Sequence, residues 1–87
     1  MKIKQRQTFS IGDTAKITGV SPKQIRHWED RGYIDKAERV VCGERAYRHF
    51  TKEQVEQIKT IKSLLDEGYK LSHASRMAAK IYKKGGV

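Results

Sequence analysis

Five of the basic side chains between residues 23 and 48 offer the clearest chemistry in the sequence: Lys23, Arg26, Arg39, Arg45 and Arg48. Lysine and arginine neutralise phosphates and release condensed counterions, so such residues favour binding to a polyanion. The chain has 87 residues, with 19 Lys and Arg against 10 Asp and Glu, and a formal net charge of +9 at pH 7. An anionic membrane attracts the same charge. We rank nucleic acid first and expect no membrane partner, because the nearest amphipathic segment, 70–84, offers mostly Ala and Met where a membrane helix needs bulky anchors.

Other kinds of chemistry find little support in the residue types. The sequence has no Gly-rich phosphate loop, no nucleophile elbow and no convincing pair of carboxylates, so we expect no catalytic residues and no enzyme. Cys42 is the only cysteine, and the three histidines lack metal-site spacing: His27, His49 and His73. We therefore expect no metal site and no cofactor, and we interpret Cys42 as an exposed turn residue.

Two short helices with a Gly-containing turn between them position the first basic residues. Ser10 and Gly19 mark the start and the end of a helix near 11–18. The run Ser21-Pro22-Lys23-Gln24 begins a second helix, about 21–31, because Ser is a good N-cap, Pro suits the first helical position and Gln can close a capping box. This is the spacing of a helix-turn-helix, whose second helix is offered to a ligand.

The second helix has one face for packing and another for contact. Ile25 and Trp28 lie three residues apart on one side. Another side has residues at positions i, i+3, i+4 and i+7: Lys23, Arg26, His27 and Asp30. We therefore expect the first side to pack in a core and the second to face a partner.

A β-hairpin is predicted after the second helix. The runs 38–41 and 44–48 flank Cys42-Gly43, an X-Gly pair that suggests a tight turn. The hairpin, about 38–48, has the length of a wing, and it places three arginines to reach a phosphate backbone: Arg39, Arg45 and Arg48. The alternative for these arginines is a solvated hairpin edge that charge protects from aggregation.

The rest of the chain predicts two further helices. Thr51-Lys52-Glu53-Gln54 is a second capping box. From Val55 onward, apolar residues recur at helical spacing, and Gly68 ends the predicted helix. A last helix is predicted over about 70–84.

The length allows one small domain. We predict this domain over 10–84, with a flexible basic arm over 1–9 and a frayed tail over 85–87. No apolar run approaches the ~18 to 20 residues of a membrane span, and the first ten residues lack the apolar stretch of a signal peptide. We therefore expect a cytoplasmic protein.

Several motifs occur in an order that is typical of one family. They are Phe9-Ser10-Ile11-Gly12, Thr18-Gly19-Val20-Ser21, Ile25-Arg26-His27-Trp28-Glu29, Gly32-Tyr33-Ile34 and Arg45-Ala46-Tyr47-Arg48-His49-Phe50-Thr51. In these motifs the chain closely resembles the N-terminal, DNA-binding half of MerR-family transcription regulators, over about residues 9–82. The resemblance implies a mostly α fold, a winged helix-turn-helix with a small β-hairpin wing and two further helices.

The resemblance also implies how DNA is contacted. The second helix is expected in the major groove, with Arg26 and His27 on base edges or phosphates. Lys23 and Gln24 are expected as further readers near its N-terminus, since Gln can pair with adenine. The wing is expected to contact the backbone or the minor groove through Arg39, Arg45 and Arg48.

Alternatives stay open for four of the candidate residues. Lys23 and Gln24 can instead form a solvated helix start, with Gln24 as a capping residue. Trp28 can pack against Ile25 and the wing, or send its indole N–H to a phosphate. Tyr47 can send its hydroxyl to a phosphate or cover the core.

Two departures from the family's pattern affect these expectations. Family members usually have two tyrosines where this chain has His27 and Trp28, so the DNA contacts there can differ. The family also continues into a long dimerising helix and an effector-binding region, whereas this sequence stops at Val87. We therefore assign no sensing function. We expect dimerisation in solution to be weak or absent, with residues 69–82 as the surface if one exists.

The main hypothesis is a sequence-specific regulator of transcription that binds double-stranded DNA. The resemblance implies a homodimer on a two-fold symmetric operator, with RNA polymerase at the promoter as a further partner, and association with the nucleoid. One rival is an architectural DNA-binding protein, either excisionase-like or chromosome-organising. Another is a protein-interaction module that uses the last helix, with Met77 and Ile81 as anchors.

Overall fold

A computed structural model describes residues 8–83 of the protein. Its elements are β1 Thr8–Ser10, α1 Ile11–Thr18, α2 Pro22–Asp30, β2 Glu38–Cys42, β3 Arg45–Thr51, α3 Lys52–Asp66 and α4 Leu71–Lys83. The strands form an antiparallel sheet in the order β1-β3-β2. The predicted fold class, a mostly α winged helix-turn-helix with two further helices, is confirmed. The predicted tail, 85–87, and residues 1–7 of the predicted arm lie outside the described residues.

Helices α1, α2 and α3 begin at the predicted capping residues. Ser10 accepts a hydrogen bond from the Asp13 N–H at 3.0 Å, and Ser21 accepts one from the Gln24 N–H at 3.2 Å. Thr51 and Gln54 form a complete capping box, with the Gln54 N–H donating to the Thr51 hydroxyl and the Thr51 N–H donating to the Gln54 side chain. These bonds satisfy donors that a helix start leaves unpaired, so short local motifs were sufficient to predict the starts.

Strand β1 differs from the sequence prediction. Thr8 and Phe9 were placed in the basic arm, but they pair with Thr51 and Phe50 at the end of β3. Phe9 is partly buried against the core, which fixes the strand. A strand of three residues is too short to show the apolar alternation by which strands are recognised.

The tight turn of the hairpin lies one residue later than predicted. Cys42 pairs with Arg45 and therefore ends β2, so its interpretation as a turn residue is wrong. The loop consists of Gly43 and Glu44. Gly43 has a φ of +66° and no non-glycine residue described has a positive φ, which matches a type II′ turn, with glycine first, and not a type I′ turn.

The core lies between the helices and the base of the hairpin. Its largest fully buried side chains are Trp28, Phe50, Ile25, Ile58 and Ile61. Over residues 71–81 of α4, the fully buried side chains are Ala74 and Ala78, which are small enough to let the helix pack against α3. The Ser75 hydroxyl also donates a hydrogen bond to the Tyr33 carbonyl at 2.6 Å. Among the described residues, no helix is both long and apolar enough to cross a membrane.

Candidate nucleic-acid interface

Helix α2 presents two distinct faces, as its sequence predicts. Ile25, Trp28 and Glu29 point inward and are almost completely buried. The outward side chains are exposed: Lys23, Gln24, Arg26 and His27. Because the inward residues follow i, i+3, i+4 spacing, the core fixes the rotation of the helix. Its exposed face is therefore held at a defined angle to the rest of the domain.

The N-terminus of α2 is suited to an anionic partner. Its first turn contains no acidic residue, whereas the first turns of α1 and α3 contain Asp13 and Glu53. A helix N-terminus has a partial positive charge, so the absence of an acid leaves that charge uncompensated. Lys23 and His27 border an open concave surface there, together with Ser21 and Gln24.

Gln24 was predicted either as a reader or as a capping residue. The Ser21 hydroxyl accepts the Gln24 N–H, but in the described part of the chain no hydrogen bond returns from the Ser21 N–H to the Gln24 side chain. Only half of the capping box is formed. The exposed Gln24 amide is consequently available to an external partner.

Trp28 does not belong to an exposed interface. Its side chain is 1% exposed and lies in the same core cluster as Ile25 and Phe50. A side chain with almost no accessible surface offers neither its ring nor its indole N–H to DNA. This burial favours the packing alternative for Trp28 over a contact with DNA.

The outer part of the hairpin exposes Arg45 and Tyr47. Tyr47 lies opposite Val40 across the two strands, and its side chain is 46% exposed. It does not cover the core, because the buried Phe50 lies on the other face of β3. Arg45 pairs with Cys42 beside the turn. Of the predicted wing residues, Arg39, Arg45 and Tyr47 are exposed and Arg48 is half-buried.

Arg39 and Arg48 have a partner within the molecule. Arg48 Nε donates to Glu29 Oε1 at 2.8 Å, and Arg39 Nη1 donates to Glu29 Oε2 at 3.1 Å. The Ala37 N–H donates to the same Oε2 at 2.6 Å. Arg39 also donates to the Ala37 carbonyl at 3.2 Å. Both arginines therefore connect the hairpin to α2, which the sequence prediction of free phosphate contacts did not include.

The carboxylate of Glu29 is ionised inside the domain. Its burial alone raises the pKa, and hydrogen bonds from Arg48, the Ala37 N–H and Arg39 outweigh that effect, so the net pKa lies below its ordinary value of 4.5. Sequence reasoning missed this residue. The signal was present, because Glu29 follows Ile25 and Trp28 at the i+4 position of the buried face.

The remaining candidate ligands are dispersed. His49 Nδ1 lies 3.2 Å from the Thr8 hydroxyl, and the ring of His73 stacks on Tyr69 with 5.5 Å between centroids. Among the side chains that the structure describes, no group of three His, Cys, Asp or Glu residues is suited to a metal. On α4, Met77 is partly buried and Ile81 is exposed. Their role as anchors for a protein partner stays a prediction.

Comparison with known proteins supplies independent evidence. The sequence pattern of the family described as MerR HTH family regulatory protein matches residues 9–81. Nodulation protein NolA of Bradyrhizobium elkanii is 32% identical over 74 residues, covering 85% of this chain and 32% of NolA. The HTH-type transcriptional repressor CarH of Myxococcus xanthus is 34% identical over 71 residues, covering 82% of this chain and 23% of CarH.

A third relative is the HTH-type transcriptional regulator CueR of Escherichia coli, 28% identical over 69 residues, with 79% of this chain and 49% of CueR covered. The chain thus spans between about a quarter and about half of the length of these relatives. CarH and CueR are named as transcriptional regulators and not as enzymes. The matched segment includes both helices of the helix-turn-helix and the whole hairpin.

Proposed function

The chain belongs to the MerR family of helix-turn-helix regulatory proteins, and from this premise we propose that it binds a specific double-stranded DNA site with α2 in the major groove. The major groove of B-DNA admits an α-helix and presents a distinct pattern of donors and acceptors for each base pair. The family assignment supports DNA-binding regulation of transcription. The contacts assigned to individual residues are our proposal.

The observation that best supports this proposal is the division of α2 into two faces. Arg26 and His27 occupy the middle of the exposed face, and Lys23 and Gln24 lie at its N-terminal end. In helix-turn-helix proteins the N-terminal residues of the second helix contact base edges. We assign Arg26 and Gln24 to base edges, His27 to a base edge or a phosphate, and Lys23 to a phosphate.

The wing supplies contacts to the backbone or the minor groove in this proposal. Arg45 and Tyr47 are exposed near its end, where a guanidinium and a hydroxyl can donate to phosphate oxygens. Arg39 and Arg48 retain part of their exposed surface, 41% and 24% for the side chains, while they bind Glu29. We assign them a secondary role in DNA contact.

We further propose a homodimer on a two-fold symmetric operator, with RNA polymerase as a partner at the promoter. Helix-turn-helix dimers place their recognition helices in half-sites about one helical turn apart. We take 10–84 as the DNA-binding unit, extended by Thr8 and Phe9 because these residues form β1 with Ser10.

Selection of bound sites from random duplex DNA tests the function directly. The expected result is an enriched motif with two symmetric half-sites, bound more tightly than random DNA of the same length. In a matched selection with the Arg26→Ala variant, the enriched motif should lose its base preference at one position in each half-site. Recovery of unrelated sequences, all bound equally well, would contradict a sequence-specific regulator and favour the architectural alternative.

A further inference from the structure

The outer part of the wing has few contacts with the rest of the domain. Phe50, at the base of β3, is fully buried, but Val41, Arg45 and Tyr47 are exposed. Three strand pairs lie beyond the Arg39 and Arg48 pair: Val40 with Tyr47, Val41 with Ala46 and Cys42 with Arg45. At about 3.3 Å per residue, the end of the wing extends about 10 Å beyond that pair. Its direction is therefore sensitive to how the hairpin is held at this point.

The buried carboxylate of Glu29 holds the hairpin there. Among residues 8–83, the hydrogen bonds shown between α2 side chains and the hairpin all end on Glu29. Arg48 binds one carboxylate oxygen from β3, while Arg39 binds the other from β2. Since the two arginines are directly opposite each other in the sheet, one rigid carboxylate on α2 fixes both strands. The Ala37 N–H adds the segment that enters β2.

We infer that Glu29 is a positioning residue, which sets the angle between the recognition helix and the wing so that both reach the same DNA site. This inference rests on the proposed function. Hydrogen bonds with charged partners are short and directional, so they fix an orientation that apolar packing at a solvated edge does not. Buried ion pairs add little stability compared with apolar residues of similar volume. The angle of the wing is then the property that this cluster controls.

A double-mutant cycle on DNA binding distinguishes positioning from a structural role. The variants are Glu29→Gln, Arg45→Ala and their combination, with affinity for the selected operator measured across a series of salt concentrations. In the wild type, Arg45→Ala should make the negative slope of log affinity against log salt shallower by about 0.9, the value for one lost phosphate contact. In the Glu29→Gln background, a misplaced wing makes this contact poorly, and the reduction should fall to less than half of that value.

Arg26 provides the matched control because it lies on α2 itself. Glu29→Gln leaves α2 held by Ile25 and Trp28, so Arg26→Ala should weaken operator binding by a similar factor in both backgrounds. An Arg45→Ala effect of equal size in both backgrounds would overturn the inference and leave the proposed function standing. If Arg45→Ala has no effect in the wild type, the wing contact itself is wrong and the inference is overturned with it.

A milder variant covers the case in which Glu29→Gln does not fold. Trp28 is the only tryptophan and is buried, so its emission reports folding. Should the emission of Glu29→Gln match the unfolded protein, Arg48→Lys takes its place in the cycle. Lysine keeps the charge of the wing and lacks the Nε donor that binds Glu29 Oε1 at 2.8 Å. A smaller effect of Arg45→Ala in the Arg48→Lys background than in the wild type then supports the inference, and an equal effect overturns it.

Discussion

Arg26 and Arg45 are exposed cations on different elements, and their removal is expected to change DNA binding in different ways. Arg26→Ala removes a base contact and should weaken operator binding by about 1–3 kcal/mol, with a much smaller effect on random DNA. Arg45→Ala should weaken binding to both DNAs by a similar factor, since phosphates are common to all sequences. Titrations of both variants against operator and random duplexes measure the difference.

The control for these variants is Lys59→Ala, on the exposed side of α3. It removes one positive charge that lies outside α2 and the wing, and so measures the effect of a lower net charge alone. Equal losses on operator and random DNA for Arg26→Ala would remove Arg26 as a base reader.

Glu29 makes the stability of the domain dependent on pH at the acidic end. Burial raises the pKa of Glu29, but hydrogen bonds from Arg48, the Ala37 N–H and Arg39 give a net pKa below the ordinary value of 4.5. A lowered pKa means that the stabilisation is complete above the unfolded-state pKa and is lost as the pH falls through the folded-state pKa. The stabilisation is therefore expected at neutral pH and lost at low pH.

Glu29→Gln tests this dependence. The variant should lose about 3–5 kcal/mol of unfolding free energy at pH 7, because it breaks a buried charged cluster. Its stability should then change less than that of the wild type as the pH is lowered from neutral through 4.5 and below. Urea unfolding followed by Trp28 emission measures both quantities. A difference between the two proteins that stays constant over this pH range would contradict the assignment.

At the scale of the elements, the hairpin turn depends on the glycine at position 43. A Cβ there meets no atom within 4 Å, so the effect of a substitution comes from the backbone φ of +66° alone. Gly43→Ala should destabilise the domain by roughly 1–2 kcal/mol, the cost of a left-handed conformation for an L-residue. Chemical denaturation gives the change in unfolding free energy.

Gly12→Ala is the matched control within a helix. Gly12 lies in α1 without a positive φ, and a Cβ there has an ordinary contact with the Ser10 hydroxyl at 3.9 Å. This variant should stabilise the domain by about 0.4–1 kcal/mol, because alanine loses less backbone freedom on folding. Destabilisation of equal size at both positions would show that the effect at Gly43 does not depend on its φ.

The elements also show which features a sequence can predict. The starts of α1, α2 and α3 were predictable because Ser10, Ser21 and Thr51 act within a few residues. Strand β1 and the Glu29 cluster were not predicted, since each depends on residues distant in sequence. Phe9 pairs with Phe50, and Glu29 binds Arg48. Local signals thus predicted the four helices, the hairpin and the exposed face of α2, whereas long-range contacts determine how the wing is attached.

At the scale of the whole molecule, the net charge of +9 is larger than the number of phosphates that we expect to be contacted. Our proposal assigns five basic residues to DNA, of which Arg39 and Arg48 also bind Glu29. Each neutralised phosphate contributes about −0.9 to the slope of log affinity against log salt. Because Arg26 is assigned to a base edge, two to four phosphate contacts per bound copy predict a slope between about −2 and −4, whereas nine contacts would give about −8.

Binding of a duplex with one half-site, measured across salt concentrations, tests this expectation. Lysines away from α2 and the wing attract DNA only over longer distances that salt screens. Lys59→Ala and Lys80→Ala, both at exposed positions, should therefore leave the slope within about 0.3 of the wild-type value, while Lys23→Ala should reduce its magnitude by about 0.9. A slope near −8, or equal changes for all three variants, would mean that DNA contacts a much larger part of the surface than α2 and the wing.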